Sequence, residues 1–285
     1  MPTLQLDTAD TEPILNGVVV IFLFDFLPAH RSWAWLKLIQ GTHSLYKTLP
    51  GLLFAKVMGS GEGGGFGLRP SATHQGLIFV FDGFKNARDC LKNPELSAYR
   101  DKSREWWQGM MLVNSCRGAW NSQGWQSSGF LGEDALRENE RSPLIQDAQL
   151  NSKSLDAQQL QEPVASLTRG SIRASKAVAF WRYTPAAQED LHRTAGCSLA
   201  VGLGEAPVLR QCTFSVWDST KSMTDYAHQG AHLKAIAAAQ KYKFFTESMF
   251  VRMQVLQMFG EWKGRIFNFT SKNFEQLQLQ LQLQV

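Results

Sequence analysis

The hydrophobic pattern of the chain runs through the same order of segments twice. In the first half, residues 17–26 are an almost unbroken run of Val, Ile, Leu and Phe, typical of a buried strand. Residues 31–46 then carry apolar side chains near helical spacing. Strand-like segments follow at 51–62, 76–84 and 109–120, and two helices are predicted before the last of them.

The second half repeats this order. Residues 171–181 are strand-like and precede a helical segment, and further strand-like segments lie at 197–205, 212–219 and 250–262. Each half therefore predicts the order β-α-β-β-α-β. Three anchors occur in the same order in both halves: Gly59, Gly61 and Glu62 match Gly202, Gly204 and Glu205; Asp82 matches Asp218; Gly118 and Trp120 match Gly260 and Trp262.

A β-α-β-β-α-β unit forms an antiparallel sheet with helices on one face, so its other face must be covered. Two such units in one chain can cover each other by pairing their sheets. We therefore predict an α+β fold in which two fused ferredoxin-like repeats form a single-chain, pseudo-dimeric α/β barrel. The predicted parts are an N-terminal extension (1–16), the first repeat (17–120), a polar linker (121–163), the second repeat (164–268) and a Gln/Leu-rich tail (269–285).

Composition narrows the class of protein. The 285 residues carry a net charge of +4 without a dense basic block, which argues against nucleic-acid binding but allows contact with anionic lipid or an acidic electron-transfer partner. The four cysteines have no CxxC spacing, so reduced thiols are expected rather than a zinc or cluster site. The most apolar run, 17–27, is shorter than a membrane span and contains Asp25. A cytoplasmic protein is predicted, with room for peripheral contact at the cytoplasmic face of a membrane.

Two motifs are weaker than they look. The stretch GSGEGG (59–64) satisfies the GxGxxG pattern of dinucleotide-binding sites and follows a strand. Because Pro70 and no helical period follow it, we interpret it instead as a hairpin loop that can lie across the mouth of the barrel. Asp82 and Asp218 occupy equivalent turns at strand ends. Their symmetry favours turn formation or helix capping over a catalytic carboxylate pair.

The histidines in YAHQGAHLKAI (226–236) carry the candidate chemistry. His228 and His232 could chelate a metal only on one continuous helix. Aligning the halves sets Pro94 opposite Gly230 and Leu96 opposite His232, and both Pro94 and Gly230 favour a helix break. A zinc pair is therefore disfavoured. His232 remains either a lone axial ligand of haem iron or a helix-start histidine that is solvated or bonded to backbone.

Four stretches together resemble the spheroidene monooxygenase family, the carotenoid ketolases of purple phototrophic bacteria. The resemblance covers about 17–120 and 164–262, while the linker and the tail depart from the family. The stretches are TLPGLLFAKVMGSG (48–61), LTRGSIRASKAVAFW (167–181), GLGEAPVLRQCTFSVW (202–217) and GAHLKAI (230–236).

The resemblance implies a haem-dependent oxygenase of carotenoid biosynthesis. Such an enzyme inserts oxygen from O2 at an allylic end carbon of a linear carotenoid, and two hydroxylations give a ketone after loss of water. Electrons come from reduced ferredoxin. His232 matches the histidine of the family's G-x-H stretch, which implies that it is the axial ligand of the iron of haem b.

Other roles remain open at this point. Arg169, Arg173 and Arg182 could pair with haem propionates or be solvated charges at strand ends, and the catalytic residues are unknown. The alternative functions are a haem-dependent lyase or peroxidase-like enzyme on the same barrel, and a non-catalytic barrel that binds haem or another small molecule. The oligomeric state is not predicted.

Overall fold

The strands of the two halves pair into one closed barrel. Around it the strands follow the order Phe245–Trp262, Ser103–Gly118, Val18–Phe26, Pro70–Phe81, Leu52–Gly61, Cys197–Ala206, Arg210–Trp217 and Val164–Ile172. The last of these strands pairs with the first and closes the ring. All of these pairings are antiparallel. The predicted α+β fold of two fused ferredoxin-like repeats is therefore confirmed. The computed structural model describes residues 15–43, 45–126, 162–182, 191, 193–206, 208–272 and 274–275.

The order of elements in each half is the predicted one, but the strand predicted at 171–181 is wrong. The first strand of the second half is Val164–Ile172, and residues 174–182 are helical. The first half comprises β1 (Leu15–Asn16), β2 (Val18–Phe26), α1 (Arg31–Gln40), α2 (Leu45–Thr48), β3 (Leu52–Gly61), β4 (Pro70–Phe81), α3 (Phe84–Cys90), α4 (Pro94–Asp101) and β5 (Ser103–Gly118). The rest comprises β6 (Trp125–Gln126), β7 (Val164–Ile172), β8 (Cys197–Ala206), β9 (Arg210–Trp217), α5 (Thr220–Ala227), α6 (Gly230–Tyr242), β10 (Phe245–Trp262) and β11 (Arg265–Thr270). Residues 177–182 are also helical, and short 3-10 helices lie at Pro28–His30, Glu62–Gly64 and Ala174–Lys176.

Two strands lie outside the barrel ring. β11 adds to the free edge of β10 and crosses the boundary between the predicted second repeat and tail, at 268–269. β1 pairs in parallel with β6, which falls inside the predicted linker. Most of that linker, residues 127–161, and residues 276–285 of the tail lie outside the described residues.

The two halves are related by an approximate two-fold axis. At the β3–β8 junction, Gly59 pairs with Gly204 and Ser60 with Leu203. The equivalent segments of the two halves therefore run antiparallel to each other. The β5–β10 junction is much longer, from Gly118 opposite Met249 to Gly260 opposite Trp107. The glycine anchors recognised in the sequence therefore lie where the repeats meet.

The side chains alternate between the barrel interior and the outer layer because successive residues of a strand face opposite sides. On β2, Val19, Ile21 and Leu23 join the interior core, which also contains Trp120 and Trp262. The intervening residues of β2 face outward and pack beneath the helices of the first half. This outer core is rich in aromatic side chains: Phe22, Phe24, Phe26, Phe79, Phe81 and Tyr99.

The helix pairs of both halves break at the predicted points. Asn93 caps α4, its side-chain oxygen accepting a hydrogen bond from the Glu95 amide at 2.8 Å, and Pro94 begins the helix. In the second half α5 ends before His228, and α6 begins at Gly230, whose φ of +61° favours glycine. His228 and His232 are thus on different helices. No helix of the described residues is long and apolar enough to cross a membrane.

Candidate functional site

A cleft lies between the sheet and the helices of the second half. Its floor is the outer face of β7 and β9, its far side is formed by α5 and α6, and His232 lies on its wall. The enclosed part measures about 130 Å³. The cleft opens to solvent at Thr168, which is exposed.

The cleft exists because small polar residues replace the aromatic core of the first half. The registers make the comparison direct, since Val18 pairs with Phe81 in one half and Val164 with Trp217 in the other. Stepping along these strands matches Val20 with Ser166, Phe22 with Thr168, Leu77 with Thr213 and Phe79 with Ser215. The first-half side chains fill the space beneath their helices, whereas the second-half side chains leave it open.

The helix above the cleft shows the same change. In the first half α4 buries Leu96 and Tyr99 completely or nearly so. The aligned positions of α6 are His232 and Ala235, and Ala238 is the one buried residue of that helix. α6 therefore lies above the sheet without large buried side chains beneath it.

Aromatic neighbours fix the position of the His232 ring. The ring stacks on Tyr226 with 4.6 Å between centroids and 29° between planes. Tyr226 in turn lies 5.1 Å from the ring of Trp217 on β9. Since Tyr226 is the last but one residue of α5, this row of rings holds His232 at the point where α5 and α6 meet.

The floor of the cleft carries four hydroxyl groups. Those of Ser166 and Ser215 lie 2.9 Å apart, and the Trp217 indole N–H donates to Ser215 Oγ at 3.0 Å. Thr168 and Thr213 are direct cross-strand partners. The hydroxyls of these two threonines make no hydrogen bond within the described part of the chain, so they can serve a ligand.

A loop from the first half completes the cleft. The hairpin between β3 and β4 crosses the junction and packs on the outer face of β8, where Phe66 joins the apolar cluster that contains Trp217 and Met223. Gly202 makes this approach possible, because a Cβ there would lie 2.5 Å from the Gly65 carbonyl oxygen and 2.6 Å from the Phe66 ring. The loop that follows the GxGxxG-like stretch thus supplies one wall of the cleft through Phe66, and the next regular element is the strand β4, not an α-helix.

The donors around the cleft suit a cofactor held by one imidazole. Among the described residues no group of three His, Cys, Asp or Glu could hold a metal ion by itself. All four cysteines are free thiols, and burial raises the pKa of each, to about 11 for Cys197, which disfavours thiolate ligation. Within the cleft lining, His232 is the one imidazole that could serve as the protein ligand of a haem iron.

The arginines considered from the sequence do not line this cleft. Arg169 points into the barrel, where it is ion-paired with Glu247. Arg173 is exposed and donates from Nε to the Lys243 carbonyl, and Arg182 is exposed. Arg252, which the sequence reasoning missed, is the cross-strand partner of Ser166, and its guanidinium lies 5.6 Å from the ring centre of Phe250, a residue of the cleft wall.

Asp82 and Asp218 occupy equivalent turns in the structure. The amide of Asp82 donates to the Gly51 carbonyl at 2.9 Å, and the amide of Asp218 donates to the Gly196 carbonyl at 2.8 Å. Each aspartate precedes a helix, α3 or α5. The predicted structural role therefore agrees with their positions, and neither carboxylate lines the cleft.

A second polar cluster, also missed from the sequence, lies at one end of the barrel. Asp25 is buried and accepts a hydrogen bond from Arg104 Nε at 2.5 Å. His74 Nδ1 lies 3.5 Å from the same carboxylate and 2.8 Å from Ser71 Oγ, and its ring packs edge-on against Trp262. Burial lowers the pKa of His74 more than the Asp25 charge raises it.

The lowered pKa of His74 predicts a loss of stability in acid. The unfolded chain takes up a proton near the ordinary value of 6.5, whereas the folded protein resists protonation until lower pH. The stability contributed by the neutral imidazole is therefore present above that value and lost as pH falls through the folded pKa. Urea unfolding of wild type and His74→Gln from pH 7.5 to 5 should show a steeper decline for wild type; parallel curves would contradict this assignment.

Comparison with known proteins places the chain near two characterised sequences. It is 42% identical over 268 residues to the spheroidene monooxygenase of Rubrivivax gelatinosus, covering 93% of each chain. It is 31% identical over 218 residues to the spheroidene monooxygenase of Rhodobacter capsulatus, covering 76% of this chain and 80% of the relative. No family model matches the chain.

Solved structures give only distant matches. A protein from Fusobacterium nucleatum aligns with a TM-score of 0.35 and 10% identity over 90% of this chain and 99% of its own. The cofactor-independent oxygenase SnoaB from Streptomyces nogalater aligns with a TM-score of 0.28 and 15% identity over 32% of this chain and 90% of its own. Scores this low support no conclusion about activity.

Proposed function

Since the chain belongs to the spheroidene monooxygenase family, we propose that it oxygenates the end of a linear, spheroidene-like carotenoid with a haem b held by His232. The chain is an oxidoreductase, a monooxygenase by family membership. The observation that carries the proposal is the cleft of the second half, where His232 occupies the position that Leu96 fills in the first half. The equivalent space is packed in the first half and open in the second, where it holds one imidazole. This arrangement would accommodate a single haem per chain.

His232 would bind the iron through a ring nitrogen, and Tyr226 would hold the imidazole plane while it does so. When bound there, haem would supply the activation of O2. Arg252 is the candidate partner for a haem carboxylate, because a guanidinium can bind a carboxylate through two hydrogen bonds and this one lies beside the cleft wall. The electrons would come from a reduced ferredoxin, whose acidic surface the net charge of +4 would favour.

The walls of the cleft would orient the substrate and exclude water. Phe66, Leu191, Trp217 and Met223 form a continuous apolar cluster against which a polyene end can pack. The hydroxyls of Thr168 and Thr213 lie on the same floor. Their Oγ1 atoms would offer exchangeable protons to a substrate bound in the cleft.

The decisive experiment is pigment analysis with labelled oxygen. The full chain is expressed in a carotenoid-producing bacterial host that accumulates the linear carotenoid, with a ferredoxin and its reductase, under ¹⁸O2. We expect hydroxylated and ketolated products that carry ¹⁸O in the first hydroxyl group. His228→Ala is the matched control, because His228 lies one position past α5 and does not line the cleft, and this variant should convert the pigment as wild type does.

Two results would contradict the proposal. Unchanged pigment in cells that contain the folded, haem-loaded protein would exclude this substrate and favour a lyase, a peroxidase-like enzyme or a carrier. Product oxygen that comes from water would exclude a monooxygenase reaction.

A further inference from the structure

One long stretch of the first half carries no acidic residue. Between Asp25 and Glu62 there is no Asp or Glu, while Arg31, Lys37, Lys47 and Lys56 supply positive charge. Lys37 and Lys56 are ion-paired with Glu95 and Glu205. Arg31 and Lys47 are exposed, as is Arg69 just beyond the stretch, and these three make no ion pair with any described residue.

The same region exposes large apolar side chains. On α1, Trp35, Leu36 and Ile39 have 41%, 52% and 77% of their surfaces exposed, and their spacing places them on one side of the helix. Leu68 of the hairpin is 54% exposed. We call these four residues the α1 face. Single exposed apolar residues are ordinary on a protein surface, but a group beside unpaired basic residues indicates an interaction surface.

Two residues of the α1 face line a groove in the surface. Trp35 and Leu68 line a groove of about 210 Å³ above the β3–β8 junction, whose floor is formed by glycines of the two strands. The groove and the cleft lie on opposite sides of the same loop, since Gly65 and Gly67 line the groove whereas Phe66 lines the cleft. The α1 face is therefore continuous with the wall of the candidate site.

We propose that the α1 face docks on the surface of an anionic lipid bilayer. Exposed Trp, Leu and Ile side chains would enter the headgroup and acyl boundary, and Arg31, Lys47 and Arg69 would contact lipid phosphates. The charge pattern favours this occupant, because Arg31, Lys47 and Arg69 can complement anionic headgroups, whereas Lys37 and Lys56 are already paired with Glu95 and Glu205. No cofactor or turnover is needed, so this surface can be tested independently of the proposed function.

The test is co-sedimentation of the full chain with vesicles. Wild type should bind phosphatidylcholine vesicles that contain 30% phosphatidylglycerol much more than pure phosphatidylcholine, and 0.5 M salt should weaken the binding. The triple variant Trp35→Ser, Leu36→Ser, Ile39→Ser should reduce the bound fraction at least about tenfold. The control Val178→Ser, Ile266→Ser removes two side chains of similar exposure, 73% and 79%, outside the α1 face and should bind as wild type.

Thermal unfolding and light scattering of each variant complete the design. The triple variant should still unfold cooperatively, because none of the changed side chains belongs to the buried core. Equal binding to both vesicle types, or wild-type binding by the triple variant, would overturn the proposal. A wild-type dimer that the triple variant converts to monomers would also overturn it, since a second copy would then cover the α1 face.

Discussion

Replacing His232 by alanine should abolish haem retention while leaving the barrel folded. His232 is the one imidazole among the described residues that line the cleft, so the variant loses the candidate iron ligand. Affinity should fall by at least about a hundredfold, since loss of mere supporting partners of a metal ligand already costs 10–100-fold. The measurement is a haem titration of purified apoprotein followed by Soret absorbance, and exogenous imidazole should partly restore the spectrum of His232→Gly.

Leu96→Ala is the matched control for this experiment, because Leu96 occupies the aligned position in the first half. It should cost about 2–5 kcal/mol of unfolding free energy through loss of core packing, yet retain one haem per folded chain. His232→Ala should instead change the unfolding free energy of the apoprotein by less than about 1.5 kcal/mol, as the ring is half-buried. A Soret band of wild-type position and intensity in His232→Ala would exclude this ligand.

Filling the cleft should also lower haem affinity, by removing the space for the haem and leaving its candidate ligand in place. Ser215→Phe restores the residue that Phe79 supplies in the first half and places a ring on the buried floor of the cleft. Haem affinity should fall at least about tenfold although His232 remains, because packing space rather than ligation is lost. Overpacking and loss of the Ser166 and Trp217 hydrogen bonds should cost about 1–3 kcal/mol of unfolding free energy.

Two further variants keep that prediction testable. Ser215→Ala removes the hydroxyl without filling space, so it should keep most haem affinity. Thr168→Phe places the counterpart of Phe22 at the open side of the cleft, where overpacking is mild, and should also exclude haem. Tight haem binding by folded Ser215→Phe and Thr168→Phe proteins would show that the cofactor binds elsewhere.

The sequence predicted the architecture because its evidence is periodic and repeated. Alternation and helical spacing locate most strands and helices, although residues 171–181, predicted as a strand, are largely helical. The glycine, aspartate and tryptophan anchors align the two halves. That alignment also predicted the break between α5 and α6 and the contrast between Leu96 and His232, since both follow from comparing one position with its repeat. The identification of His232 as a haem ligand stays a prediction.

The features that the sequence did not predict all depend on contacts between distant segments. Phe66 reaches the second half through a loop whose path no local pattern records. The serines and threonines of the cleft floor look like ordinary alternating strand residues until the strand registers match them with Phe22 and Phe79. Asp25 seemed an interruption of an apolar strand, whereas it pairs with Arg104, 79 positions away. Aligning the halves strand by strand would have flagged the floor residues.

The hairpin that carries Phe66 bears on how such a chain can evolve. In a barrel made of two identical repeats, either repeat could be replaced by a copy of the other and the barrel would be unchanged. In the present chain a side chain from the first repeat closes the site of the second, and Gly202 leaves the space that this side chain occupies. Because the site needs residues of both repeats, neither repeat can be deleted, or replaced by a copy of the other, without loss of the site.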